Sequence, residues 1–448
     1  MKVTIVGAGG FRTPLVYGAL LQAAGRIGLQ EVTLYDRDAA RVLAMRPVLA
    51  GLASEQGMEL PVRPEADLSD ALRGSRYVLC AIRVGGLSGR VVDETVPLRF
   101  GVLGQETVGP GGIAFALRTL PAMREIAETM ARCAPDAWLV NFTNPAGIIT
   151  EGVQEVLGDR AIGICDTPSH LCWEVAAALG LPERELAFEY AGLNHLGWLT
   201  GVRRAGQDLL PGLLADPASV GRLRAADLFG PERLRRLGAV PSEYVYYYER
   251  PDEAIAGFQR AGKTRAQLLQ ELQGRFSPDA AAEPAHALSR WRTAVNERNR
   301  TYMAETRDEA PAAPPGDDDS PPMGGYEGVA TATIEAIEGV RPQVMILNVA
   351  NRGALPIVPP GGVVEVPCAV TPAGPRPLVA APPPAQATGL IQTVKQVEQL
   401  TLEASRTRSR AVAVEAIALH PVVPSVRAAE AILDEYLARL PELAAALD

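Results

Sequence analysis

Met1-Lys2-Val3-Thr4-Ile5-Val6-Gly7-Ala8-Gly9-Gly10-Phe11-Arg12 opens the chain. An apolar β run over residues 2 to 6 passes directly into a glycine loop, and an apolar-periodic segment from Leu15 to Leu21 follows, giving the order strand, loop, helix. A second strand, Glu31 to Tyr35, ends in Asp36. This order is the first βαβ unit of a dinucleotide-binding domain. Gly7 and Gly9 allow a tight turn and close approach of a pyrophosphate, whose charge the following helix N-terminus favours. Gly10, Phe11 and Arg12 complete the candidate cofactor loop. The third glycine of the fingerprint is missing, and Arg12 stands in its place. Asp36 lies where it would accept hydrogen bonds from a ribose diol, which argues for NAD over NADP.

Beyond this unit the βα alternation continues. Strands are expected at Tyr77 to Ile82, Trp138 to Asn141 and Ala161 to Ile164, with helices at Ile113 to Arg132 and Ala146 to Leu157. This is the pattern of a doubly wound parallel sheet. After about residue 185 shorter strands, Leu186 to Tyr190 and Gly197 to Arg203, suggest an antiparallel second lobe. The expected fold class is α/β: an N-terminal Rossmann-type domain over 1–185 and an α+β domain over 186–448. Residues 306–323, rich in Pro, Asp and Gly, are expected to form a mobile surface loop. Pro372 to Pro384 is expected to connect to C-terminal helices at Gln386 to Ser405, Arg408 to Leu419 and Val426 to Leu437.

Composition excludes several classes of function. With 47% hydrophobic and 21% charged residues in 448, the chain is ordinary globular protein, and no apolar stretch is long and clean enough to span a bilayer. The net charge of −9 offers no basic field to nucleic acid or anionic lipid. The N-terminus lacks the pattern of a signal peptide, so a cytoplasmic location is expected. Lysine occurs only at Lys2, Lys263 and Lys395, so a bound phosphate or carboxylate would meet arginine forks or backbone N–H groups. The five cysteines are scattered without C-x-x-C spacing, which points to neither a disulfide framework nor a structural zinc site.

Three polar clusters interrupt the alternation where strands should end, the place at which open α/β sheets hold ligands. The first is Arg83-Val84-Gly85-Gly86 with Gly104-Gln105-Glu106-Thr107 and Gly109-Pro110-Gly111-Gly112; the second is Asn141-Phe142-Thr143-Asn144-Pro145. The third is Cys165-Asp166-Thr167-Pro168, followed some thirty residues on by Gly192-Leu193-Asn194-His195. An Asn at a strand end is often only a cap, and a lone Cys or His is most often structural. Together, a thiolate and an imidazole would suit a divalent transition metal that keeps open positions for substrate oxygens.

In order and spacing, these clusters with Gly7-Ala8-Gly9, Pro241-Ser242-Glu243-Tyr244 and Asn348-Val349-Ala350-Asn351-Arg352-Gly353-Ala354-Leu355-Pro356 resemble glycoside hydrolase family four over nearly the whole chain. The resemblance implies a lactate/malate dehydrogenase-like fold, a homo-oligomer (dimer or tetramer), and a redox route to hydrolysis, an exception to the two-carboxylate scheme. In that route NAD⁺ takes hydride from sugar C3, a base removes the acidified C2 proton, the aglycone leaves C1 by elimination, and water addition and hydride return complete the cycle. Cys165 and His195 match the family's ligands to a divalent metal, usually manganese. Tyr244 matches the C2 base, Asn144, Arg83 and Glu106 match the substrate pocket, and Asp166 matches the Asp that in the phospho-α-glucosidase form is the proposed proton donor to the leaving group. From the residues alone, Tyr244 is one of four tyrosines in Tyr244-Val245-Tyr246-Tyr247-Tyr248 and reads more readily as core.

Cys165-Asp166 resembles the phospho-α-glucosidase form, whereas Asn348 to Pro356 and Val363 to Cys368 resemble the β-type enzymes, and the expected activity is that of a 6-phospho-β-glucosidase. Met323-Gly324-Gly325-Tyr326-Glu327-Gly328 departs from the β-type pattern by placing an acid in a candidate substrate wall. A carboxylate there would repel a 6-phosphate unless an arginine such as Arg265 offsets it, which keeps an unphosphorylated glycoside open. Two other classes share the opening. A hydroxy-acid dehydrogenase would need a His–Asp relay and no metal, and a non-catalytic NAD-dependent sugar sensor would lack the Cys165 and His195 pair.

Overall fold

A computed structural model describes residues 1–303, 306 and 325–448; the loop expected over 306–323 lies outside the described residues, apart from Thr306. The opening run forms β1 (Lys2–Val6). It is paired on both edges, with β2 (Glu31–Tyr35) and with the strand after β3 (Val62–Glu65), namely β4 (Tyr77–Cys80). Burial on both faces explains its continuous apolar character. With β5 (Trp138–Asn141) and β6 (Ala161–Gly163) these strands are all parallel, in the order β3-β2-β1-β4-β5-β6. The order reverses between β1 and β4, so the loops after those two strands diverge and leave a crevice at the carboxyl edge.

β4 stops two residues before the expected Ile82. Ile82 N–H turns away from the ladder to donate to Thr143 Oγ1 at 3.0 Å, which frees Arg83 to enter the crevice loop. The long helix begins at Pro110 instead of Ile113 and runs to Cys133, because a proline is well tolerated in the first turn, where its missing N–H has no helical partner. Helices Thr13–Ile27 and Ala39–Glu55 cover one face of the parallel strands, and Pro110–Cys133 and Ala146–Leu157 the other.

The antiparallel strands do not form a sheet of their own. β7 (Ala187–Leu193), β8 (Leu196–Arg204), β9 (Gln207–Asp208), β10 (Val240–Pro241), β11 (Gln343–Ala350), β12 (Val363–Thr371) and β13 (Gly374–Pro377) extend the same thirteen-stranded sheet. The join is β11 against β6 through Asn348 opposite Gly163. A Cβ at residue 163 would come within 2.8 Å of Asn348 Cβ and 2.3 Å of Thr150 Oγ1, so glycine is needed there. Part of the Pro-rich stretch expected to be a connector is therefore a strand: β13 pairs with β12 at the sheet edge, where Pro375 and Pro377 are tolerated. Helices Ala385–Thr407, Arg410–Leu419 and Val426–Arg439 pack beside Pro110–Cys133 in a separate apolar cluster. Among the described residues no helix is long and apolar enough to cross a membrane.

Candidate active site

A cavity of about 690 Å³ follows the crevice at the carboxyl edge of the parallel strands. At one end is the glycine loop. Gly7 has φ +86°, and a Cβ there would sit 2.4 Å from Ala81 O; at Gly9 it would meet Arg41 Cβ at 2.5 Å. Asp36 braces this loop: Oδ2 accepts from Gly9 N–H at 2.9 Å and Oδ1 from Asp38 N–H at 3.0 Å. Gly7, Gly10, Phe11, Arg12 and Asp36 all line the cavity. The Arg12 guanidinium turns toward the other end, 4.2 Å over the Tyr326 ring and 3.9 Å from Asp166 Oδ2.

At that other end Arg83, Glu106 and Asn144 line the same cavity. Glu106 Oε2 lies 2.7 Å from Arg83 and 3.0 Å from Arg90. Burial alone would favour the neutral acid, but these two cations outweigh it and hold the carboxyl down at about 2. Arg90 gave no sequence signal, being one arginine on an otherwise ordinary helix, and only packing brings it here.

The metal candidates sit on the turns after β6 and β7, which β11 and β12 separate in the sheet. Cys165, 1% exposed, follows β6, and its sulfur lies 3.8 Å from Tyr326 Oη. His195 occupies the β7–β8 turn at φ +62°, a left-handed conformation that few non-glycine residues adopt. Thr107 Oγ1 donates to Gln105 Oε1, so it accepts from His195 Nδ1–H at 3.0 Å. That tautomer leaves the Nε2 lone pair free, and Nε2 is buried with no partner. Burial keeps the imidazole neutral by lowering its pKa to about 4. Burial also pushes the Cys165 thiol well up, with Glu365 and Asp166 adding to the effect; a bound cation would reverse this. Among the described residues no group of three His, Cys, Asp or Glu converges as a complete metal cage. Two protein ligands with open positions fit a cation that also holds substrate oxygens.

Of the tyrosine run, Tyr244 stands beside His195, Tyr246 and Tyr247 lie in the core, and half-buried Tyr248 stacks on His420. The Tyr244 ring stacks on the His195 ring, with centroids 3.8 Å apart, while Tyr246 and Tyr247 are 5% and 2% exposed within the core. Burial, then Glu243, pushes the Tyr244 phenol well above its usual range. Tyr302 Oη lies 3.4 Å from Tyr244 Oη and 2.5 Å from Glu243 Oε1. Burial raises the Asp166 carboxyl against the pull of Arg12, favouring the form that can donate a proton.

Arg265 is placed elsewhere. Its guanidinium donates to Thr301 Oγ1 and to the Arg298 carbonyl at 2.7 Å, and Arg12, not Arg265, reaches the acids Asp166 and Glu327. Arg298, which lines the cavity, is the arginine that sequence reasoning missed. Burial and the nearby Arg12, Arg265 and Arg90 lower its pKa to about 9, the mark of a cation short of neutralising charge.

The family 4 glycosyl hydrolase model matches residues 2–181, and the family 4 glycosyl hydrolase C-terminal domain model matches residues 190–423. A 6-phospho-alpha-glucosidase from Leptotrichia buccalis is 29% identical over 456 residues, covering 97% of this chain and 97% of its own. The 6-phospho-beta glucosidase from Thermotoga maritima, in a structure with manganese, NAD⁺ and glucose-6-phosphate, is 25% identical with a TM-score of 0.81, covering 99% of each chain. A lactate dehydrogenase from a deep-sea metagenome library, at 12% identity and a TM-score of 0.53 over 90% of this chain and 98% of its own, shares the fold alone. The two adjoining family matches together span most of the chain, which belongs to the family 4 glycosyl hydrolases.

Proposed function

We propose that this chain is an NAD- and manganese-dependent 6-phospho-β-glucosidase. One observation carries the reading. Three buried polar atoms have no partner: a donor, Arg83 Nη1, and an acceptor, Asn144 Oδ1, on residues that line the cavity, and a ligand lone pair, His195 Nε2. Leaving such groups unmet is costly, and a sugar with a cation on its hydroxyls would satisfy all three.

NAD held at the glycine loop would supply a reversible hydride acceptor, and a divalent cation held by Cys165 and His195 would supply Lewis acidity toward the sugar hydroxyls. The chain's own groups do the rest. Tyr244 Oη, as phenolate, takes the C2 proton; the electron pair released forms the C1–C2 double bond as the C1–O bond breaks. Asp166 protonates the departing oxygen. Arg83 and Asn144 orient the ring, and Glu106 fixes Arg83. For the 6-phosphate, Arg298 offers the under-neutralised cation that a dianion needs, with Arg12, already set against Asp166 and Glu327, near it. A phosphorylated sugar does not cross a bilayer unaided, which suits a cytoplasmic enzyme.

The α-glucoside is the second reading, because the Asp166 carboxyl is raised as a proton donor should be. Hydrolysis of p-nitrophenyl α- and β-glucosides, with and without 6-phosphate, in NAD⁺, Mn²⁺ and a reductant decides between them. The expected order places the 6-phospho-β-glucoside highest in kcat/KM. Faster turnover of the α anomer reverses the anomeric assignment, and indifference to phosphate removes the role given to Arg298.

A further inference from the structure

Glu365, in β12, is 1% exposed, yet its carboxylate is met only by neutral donors. Asn348 Nδ2 at 2.9 Å and Asn194 Nδ2 at 3.2 Å donate to Oε1, and Tyr190 Oη at 3.1 Å donates to Oε2. Among the described residues no Arg, Lys or His forms an ion pair with it. A buried carboxylate without a cation is one of the costliest arrangements in a protein interior, and hydrogen bonds from amides and a phenol offset only part of that cost.

Its position suggests where the missing positive charge belongs. Gly163, Asn348, Glu365 and Gly192 form one row across β6, β11, β12 and β7, each opposite the next. Cys165 lies two residues beyond Gly163 and His195 three beyond Gly192, so both candidate ligands rise from turns at the two ends of this row. Asn194, which donates to Glu365, precedes His195 directly and also accepts from Ala146 N–H at 3.0 Å, tying the His195 turn to the segment after Asn144.

We propose that Glu365 is the outer-sphere counter-charge and positioning residue of the cation site. Its carboxylate balances the cation held by Cys165 and His195, and through Asn194 it fixes the left-handed turn that aims His195 Nε2. The proposal rests on the cation assignment made above. Outer-sphere carboxylates of this kind typically change metal affinity 10–100-fold when removed.

The test is Mn²⁺ titration of the NAD-loaded protein, followed by the electron paramagnetic resonance signal of free Mn²⁺. Glu365→Gln keeps shape and removes charge; it is expected to weaken Mn²⁺ binding by about 10–100-fold while the melting temperature without metal and the NAD affinity stay near wild type. Tyr190→Phe removes one hydrogen bond and is expected to weaken binding by about fivefold. Wild-type Mn²⁺ affinity in Glu365→Gln overturns the proposal, as does a loss matched by equal losses of NAD affinity and thermal stability. If Glu365→Gln does not fold, unchanged affinity in Tyr190→Phe overturns it instead. Cys165→Ser serves as reference: Mn²⁺ binding as tight as wild type there brings down the cation assignment itself, and a wild-type site that takes up no Mn²⁺ does the same.

Discussion

The imidazole of His195 lies flat against the phenol of Tyr244, with ring centroids 3.8 Å apart and planes within 4°. The contact joins the candidate metal ligand to the candidate base. A cation drawn to Nε2 would place positive charge near the phenol and favour its ionised form, opposing the burial that pushes the phenol up. The stacking also limits where Tyr244 Oη can point, so the proposed proton abstraction and metal binding would share one geometry.

Cys165→Ser and His195→Ala should each abolish metal-dependent hydrolysis while leaving NAD binding nearly intact. The glycine loop and Asp36 belong to β1 and β2, on the far side of β4 and β5 from the Cys165 turn. NAD fluorescence titration and p-nitrophenol release measure the two separately. Stripping the wild-type protein of NAD or of metal should likewise stop turnover, and full activity after exhaustive removal of both would sink the redox route.

Tyr244→Phe keeps the ring against His195 and removes the hydroxyl. Proton transfer by a positioned group is typically worth about 10²–10⁴-fold, and a loss of that size is expected. In D₂O the wild type should place deuterium at C2 of the released sugar and the variant should not. Exchange that persists in Tyr244→Phe would move the base elsewhere in the site.

Asp36 should set the choice of cofactor. Both its oxygens are committed to the loop backbone, through Gly9 and Asp38, so its charge stays fixed where a 2′-phosphate would lie. NAD is expected to bind at least tenfold more tightly than NADP, on the order of 1.4 kcal/mol for a like-charge contact relieved. Equal affinity in equilibrium binding contradicts this.

His420 makes stability depend on pH. Gly109 N–H donates to its Nε2 at 3.1 Å and Val422 N–H approaches Nδ1 at 3.4 Å, so protonation would set like donors against each other. Burial lowers its pKa to about 3, below the unfolded value near 6.5. The unfolded chain therefore binds the extra proton first. The stabilisation is complete above pH 6.5 and is lost as pH falls toward 3, by roughly 5 kcal/mol at most. Urea midpoints between pH 7.5 and 4.5 should fall less in His420→Gln than in wild type; parallel curves would exclude this source.

Much of the parallel half was legible in the sequence, because its signals are local. Continuous apolar runs, glycines at turns and a terminal Asp36 follow from strand burial and from the backbone space a pyrophosphate needs. Polar clusters at the ends of such strands mark a crevice whatever their exact partners. The ordered set of clusters was also enough to indicate the family.

What the sequence could not determine is every contact made between distant segments. Gly163 meets Asn348 across 185 positions, and that rung makes the antiparallel strands part of one sheet, so the His195 turn and the Cys165 turn belong to the same sheet. Which tyrosine of the run faces the site depends on the short turn at Glu243–Val245, whose direction is set by packing and not by propensity. Arg265 was expected to offset the Glu327 acid in the substrate wall; its guanidinium donates to Thr301 and the Arg298 carbonyl, and Arg298 lines the cavity. Glu365 looks like an ordinary charge in a Val-rich strand until Asn348, Asn194 and Tyr190 close over it. Local sequence encodes the strand and its loop through steric and hydrophobic preferences of neighbours; which charge stands beside which is decided by long-range pairing, whose energy exists only once the sheet has closed.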